Sequence, residues 1–290
     1  MVKIISDSTC DLTRDILAKY NITLTPLYIQ TEEGDSFRDG VDITPSDLFR
    51  MVDKEKKTCK TAAVNIFDYE QVFAECSAKF DAVIHFNISQ GFSSCNQNAN
   101  IAAEDFENVH VIDTRNLSTG SGYIVHSAAI MAKEGKSAEE ILKWAGEAVD
   151  RVDASFVIDR LDYLHKGGRC SLAKLISAKL FNIKPCIEVV GGLMEVGAKY
   201  VGKFEIVLEK YVRDRLETLS KEGKLDLSRI YITHTTCTPE TVEMVRGEIA
   251  KYADFAEVIE TQAGCTISNH CGPNTLGILF MRTMPKEAVS

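Results

Sequence analysis

The sequence predicts an α/β protein made of two α/β domains with mostly parallel sheets. Three observations carry this reading. Short β-branched and apolar runs alternate with longer stretches of helical period, the pattern of βαβ units. Polar loops follow several strand candidates, at Asp7-Ser8-Thr9, Ser89-Gln90-Gly91 and Asp113-Thr114-Arg115, and open α/β sheets bind ligands at that edge. A chain of 290 residues with 45% hydrophobic content is long enough for one large domain or two ordinary ones.

Lys3 to Ser6 is the first strand candidate, and Leu12, Ile16, Leu17 and Tyr20 then share a helical face, with Ser8, Thr9 or Asp11 as its N-cap. Thr31 to Thr44 is polar, carries Gly34 and Gly40, and reads as a small hairpin insertion. Phe80 to Ile88 and Val109 to Ile112 are strands. A helix of small residues runs from Asn96 to about Asp105, and Ser93 is its expected N-cap. Gly122 to Lys133 and Ala138 to Val152 are helices, with Trp144 on the apolar side of the second. The pattern changes near residue 152, which sets the expected domains at 1–152 and 153–290. In the second, Ser155 to Asp159 is a strand, Ile187 to Gly202 a hairpin turning at Gly191-Gly192, and Glu205 to Ser220 an amphipathic helix. Strands at Arg229 to His234 and Phe255 to Gln262 flank a helix from Glu240 to Tyr252, and Leu276 to Met281 is the last strand.

Composition narrows the function classes. Lys plus Arg is 33 against 42 for Asp plus Glu, a net charge of -9. An acidic surface repels phosphate backbones and anionic headgroups, which disfavours nucleic acid and bare membrane. Nine cysteines cannot all pair within one chain and point to a reducing compartment, read as the cytoplasm. The start of the chain is too short and too charged for a signal-peptide core, and no run of about 18 apolar residues occurs.

Common catalytic signatures fail. Gly120-Ser121-Gly122 begins like a dinucleotide loop, but position 125 is Val. No Ser has Gly two residues to either side. Cys265 and Cys271 are the closest pair of cysteines, so there is no Cys-x-x-Cys metal or redox motif.

Three features remain. Lys166-Gly167-Gly168-Arg169-Cys170-Ser171 allows a tight turn that would set the Arg169 fork at a cleft, where it suits a carboxylate or phosphate; a helix C-cap with a solvated Arg fits the same residues. Asn269-His270-Cys271-Gly272-Pro273 reads as a loop of fixed shape. It starts near His270, either a positioned acid, base or donor or a plain surface His. Thr61 and Ser93 are hydroxyls that serve as caps or as an anion seat.

At these residues the sequence resembles the DegV family of bacterial fatty-acid-binding proteins. The resemblance runs from Asp7-Ser8-Thr9 to the His270-Cys271-Gly272-Pro273 loop and is strongest at Leu161 to Arg169, at the Asn-Ile-Lys-Pro run ending at Pro185, and in that loop. It implies one long-chain fatty acid buried between the domains. Its carboxylate would be held by Thr61, Ser93 and His270, with Arg169 near the head group. It also implies a carrier without a cofactor or catalytic residue of its own. That carrier would present the carboxylate to the catalytic subunit of a fatty acid kinase and pass the acyl phosphate to acyltransferase enzymes of phospholipid synthesis. The chain departs from the family's Thr-Ser-Gln-Pro-Ser at Ala62-Ala63-Val64-Asn65, from Leu-Ser-Gly-Thr at Ser94-Cys95, and from a family Arg at Val201. Ile4, Phe86, Ile88, Phe92, Ile158, Leu175, Leu180 and Ile187 are core or tail-channel residues. Two other readings stay open. One is a hydrolase or transferase using His270 with Ser93 or Cys271, and the other is a phosphate- or sugar-binding enzyme using Arg169 and the loops at Ser8 and Ser118.

Overall fold

The computed structural model describes residues 1–166 and 183–285. The first sheet is wholly parallel, in the order β2-β1-β6-β7. Its strands are β1 (Val2–Asp7), β2 (Thr23–Thr25), β6 (Ala82–Asn87) and β7 (Val109–Asp113). A second small sheet, β4-β3-β5, is antiparallel and consists of β3 (Tyr28–Thr31), β4 (Ser36–Arg38) and β5 (Cys59–Ala62). The polar segment at 31–44 thus supplies the turn and second strand of a hairpin that begins at Tyr28, and β5 joins that hairpin to make a sheet rather than a plain insertion.

The helices of this half are α1 (Arg14–Lys19), α2 (Pro45–Phe49), α3 (Ile66–Ser77), α4 (Cys95–Ala103), α5 (Ser118–Lys133) and α6 (Ala138–Ala148). The cap of α1 is Thr13, whose side chain accepts from the Ile16 amide at 3.3 Å. It is not Ser8, Thr9 or Asp11, because Ser8–Cys10 forms a separate 3-10 turn closed by Asp11 at φ 50. Both α2 and α6 start in capping boxes, at Thr44 with Asp47 and at Ser137 with Glu140.

The largest sheet runs β10-β9-β8-β13-β11-β12. It contains β8 (Val152–Val157), β9 (Ile183–Val190), β10 (Leu193–Val201), β11 (Leu225–His234), β12 (Val258–Gln262) and β13 (Leu276–Arg282). Here the expectation of mostly parallel strands is corrected: only β11 and β12 pair in parallel, and the other four pairs are antiparallel. The cause is local for β9 and β10, where Gly191 and Gly192 at φ 56 and 83 close a tight hairpin with no room for a crossover. The remaining helices are α7 (Asp162–Lys166), α8 (Phe204–Lys221), α9 (Pro239–Ala250) and α10 (Cys265–Cys271). The pair α8 and α9 covers one face of this sheet with a core that includes Tyr211, Val245 and Phe280.

The other face meets the parallel sheet across α5, which packs on β1 and β6 as well as on β8, β11 and β13. Ser118 to Val125 is buried on every side of the helix, and small residues make that possible. A Cβ on Gly120 would lie 2.7 Å from Asn116 Oδ1, and one on Gly122 would strike the Cys10 carbonyl. The Gly-Ser-Gly run that resembles a dinucleotide loop is thus a packing surface. One continuous core spans this junction, from Ile5 and Phe86 to Phe156 and Leu279. Cys10, Cys76, Cys95 and Cys271 contribute to it as small apolar side chains, and seven of the eight described cysteines are buried.

Candidate functional site

The site forms where α10, β5 and the loop after β6 meet. Two carboxylates fix the start of α10. Asp11 accepts the Gly264 amide at 2.8 Å, and Asp39 accepts the Cys265 and Thr266 amides at 2.7 and 2.9 Å. These bonds satisfy the orphan donors of the first turn. The helix ends at Gly272 with φ 74, and a side chain there would run into the Tyr163 ring at 2.9 Å. Asn269 donates to the Cys59 carbonyl at 3.2 Å and ties α10 to β5. His270 therefore sits on the last turn of a helix, not at the start of a loop. The sequence reading missed that helix because its cap is Gly264 and its N-terminal partners are more than 200 residues away.

Thr61 on β5 and His270 on α10 meet with Oγ1 and Nε2 2.9 Å apart. They line one cavity together with Ser93, Ser94, Thr266 and an apolar wall that includes Leu27, Ile88, Phe92, Leu117, Met194 and Ile267. The space between the lining atoms is about 660 Å³, the open mouth included, within the usual size of ligand pockets. A second hollow of about 320 Å³ lies behind Leu117, Ile267 and Cys271, which line both, and extends to Phe156 and Leu279. Of the channel candidates, Ile88 and Phe92 line the cavity. Ile4, Phe86, Ile158 and Ile187 belong to the core, and Leu175 and Leu180 lie outside the described residues.

Thr61, Ser93 and His270 thus share one cavity. Arg169 lies outside the described residues. Ser93 precedes the cap residue of α4, Ser94, yet its Oγ accepts the Cys95 amide at 3.2 Å and donates to Cys95 Sγ at 3.1 Å. The expected cap is therefore displaced by one residue while its hydrogen bond is kept. Burial pushes the Cys95 thiol up to about 12, so it stays protonated near neutral pH and is not a nucleophile.

The polar loops at the strand ends are internal struts. Asp7 is fully buried and accepts from Thr25, Tyr69, Asn87 and the Ile88 amide at 2.8–3.2 Å. Ser118 donates to Asp11 at 2.5 Å and Ser8 to Asp39 at 3.5 Å. Both serine hydroxyls are committed to acidic side chains, which removes the support for a phosphate site there. Among the described residues no group of three or more His, Cys, Asp or Glu side chains converges as a metal site, and no helix is long and apolar enough to cross a membrane.

The hairpin of β9 and β10 reaches the cavity through Met194. Ser89 Oγ donates to the Gly192 carbonyl at 2.7 Å, and two residues on Met194 joins the cavity wall. A Cβ on Gly91 would sit 2.6 Å from that carbonyl, so Gly is required at this crossing.

Two sheets joined through a buried helix, with an apolar cavity closed by hydroxyls and a histidine, define a class of α/β binding architecture. The chain belongs to the family described as "Uncharacterised protein, DegV family", which matches residues 1–283. A DegV domain-containing protein of Caldanaerobacter subterraneus subsp. tengcongensis is 31% identical over 283 residues, covering 96% of this chain and 98% of that one. A DegV family protein from Thermus thermophilus, reported for its fatty acid binding, matches with TM-score 0.88 at 27% identity, over 97% of this chain and 99% of that one. A stearic acid-binding protein from Eubacterium ventriosum matches with TM-score 0.81 at 26% identity, over 97% and 98% of the two chains.

Proposed function

We propose that this chain binds one long-chain fatty acid, with its carboxylate at Thr61, Ser93 and His270 and its tail along the apolar wall toward the hollow behind Leu117 and Ile267. The observation that carries the reading is the cavity itself, apolar along its length and polar where Thr61 meets His270. Burying about 14 methylenes yields roughly 11 kcal/mol of gross transfer energy at about 0.8 kcal/mol each, offset in part by association and ordering. The tail therefore provides affinity. The carboxylate is costly to bury unpaired, and the hydroxyls and imidazole offset that cost. The fatty acid binding reported for the Thermus thermophilus and Eubacterium ventriosum relatives supports the same ligand.

In this reading Arg169 adds positive potential near the head group, and the chain divides into domains at 1–152 and 153–290. The protein acts in the cytoplasm as a carrier with no cofactor and no catalytic residue. It presents the carboxylate to a separate fatty acid kinase and delivers the acyl phosphate to acyltransferases. The hydrolase or transferase alternative needs a bond between His270 and its nucleophile. Ser93, one of its two candidate nucleophiles beside Cys271, is instead engaged with Cys95.

The test is a calorimetric titration of delipidated protein with palmitate. Saturable binding of one acid per chain is expected. No binding, together with turnover of an acyl ester, would replace the carrier by the hydrolase.

A further inference from the structure

We infer that Thr266 supplies a hydrogen bond of its own to the carboxylate of the bound ligand, a step that rests on the fatty acid reading above. Thr266 is 4% exposed and lines the cavity. Among the described residues its Oγ1 is buried without a hydrogen-bond partner. It stands four residues before His270 on α10, and that spacing places both side chains on one helical face. Its backbone is held by Asp39, which accepts the Thr266 amide at 2.9 Å and the preceding amide at 2.7 Å; the side chain's place on the wall is thereby fixed, and its shielded hydroxyl reaches a ligand through the second χ1 rotamer open to Thr in a helix.

The donor count explains why it matters. A hydroxyl carries one proton and two lone pairs. The Thr61 hydroxyl is shared with His270, and the Ser93 proton points at Cys95 Sγ. Each must be shared or redirected to serve a ligand, whereas the Thr266 proton has no competing acceptor. A buried hydroxyl left unpaired is unfavourable, and Val would fill the same volume without it. The missing partner is an acceptor that enters the cavity, and a carboxylate offers about four lone-pair sites.

The experiment compares wild type, Thr266→Val and Thr266→Ser for binding of palmitate and of hexadecanol, which has the same tail and no carboxylate. Thermal melts of the three proteins check folding. The Val variant is expected to lower palmitate affinity roughly ten-fold with a much smaller change for hexadecanol, and the Ser variant to restore the preference for the acid. Wild-type-like palmitate binding by the Val variant, or an equal loss for both ligands, would overturn the inference and leave the carrier reading standing. Wild type that binds no palmitate would overturn the carrier reading, and the role of Thr266 with it.

Discussion

The Thr61–His270 contact has a direction that decides its use. If Nε2 carries the proton and donates to Thr61, the threonine's own proton is free to donate onward to a carboxylate. Hydrogen bonds to a charged group contribute about 1.5–3 kcal/mol each. The Ser93→Ala, His270→Ala double variant should therefore lose on the order of 100-fold in fatty acid affinity, and unchanged affinity in a titration would remove both residues from the head-group site. A second prediction concerns Asp11. Burial pushes its carboxyl from 3.8 up to about 8, against the opposing bonds from Ser118 and Gly264. Between those values the folded chain keeps a proton that the unfolded chain has released, so this group makes stability fall as pH rises from about 4 to about 8. Asp11→Asn has no such proton and should flatten that slope in urea denaturation series. An unaltered slope would show that Asp11 ionises normally. Thr61, Ser93 and His270 could be singled out in the sequence by type and neighbourhood, with caps and a surface His as equal readings, and only the family resemblance grouped them as one site. Asp11, Asp39 and Thr266 were not, because their partners are set by tertiary contacts with no sequence spacing.

At the scale of elements, the hairpin of β9 and β10 was legible in Gly191-Gly192, and its contribution of Met194 to the cavity wall was not. Gly192 lies at φ 83, and a Cβ there would stand 2.9 Å from Ser89 Oγ and 3.3 Å from the Arg115 Cβ. Gly192→Ala should loosen the tip, draw Met194 from the cavity wall and raise the ligand off-rate several-fold, an effect of about 1 kcal/mol. Stopped-flow displacement of a fluorescent fatty acid measures it, and an unchanged off-rate would mean the tip does not hold Met194 at the wall. The helix α10 escaped detection for the opposite reason. Cys-Thr-Ile-Ser-Asn-His-Cys has weak helical propensity, and it is helical because Asp11 and Asp39 satisfy its first amides and Gly272 lets it stop.

Across the whole molecule, the alternation of strands and helices identified the α/β class and the parallel first sheet, whose successive strands are joined by crossovers. The direction of the strands in the second sheet was not legible. The β13 strand inserts between β8 and β11, and periodicity fixes which side chains face the core without fixing which way a neighbour runs. The same arrangement gives the cavity two walls of different origin. Ile88, Phe92 and Leu117 come from the parallel sheet's loops, while Met194, Ile267 and Cys271 come from the segment of chain that builds the second sheet. A tail held between them would be shielded from water on both sides. The most direct measurement is therefore organic extraction of the freshly purified full-length protein followed by mass spectrometry. The account predicts about one long-chain fatty acid per chain, of roughly 14 to 18 carbons from the tail estimate. A phosphorylated metabolite, or no lipid together with measurable esterase turnover, would contradict it.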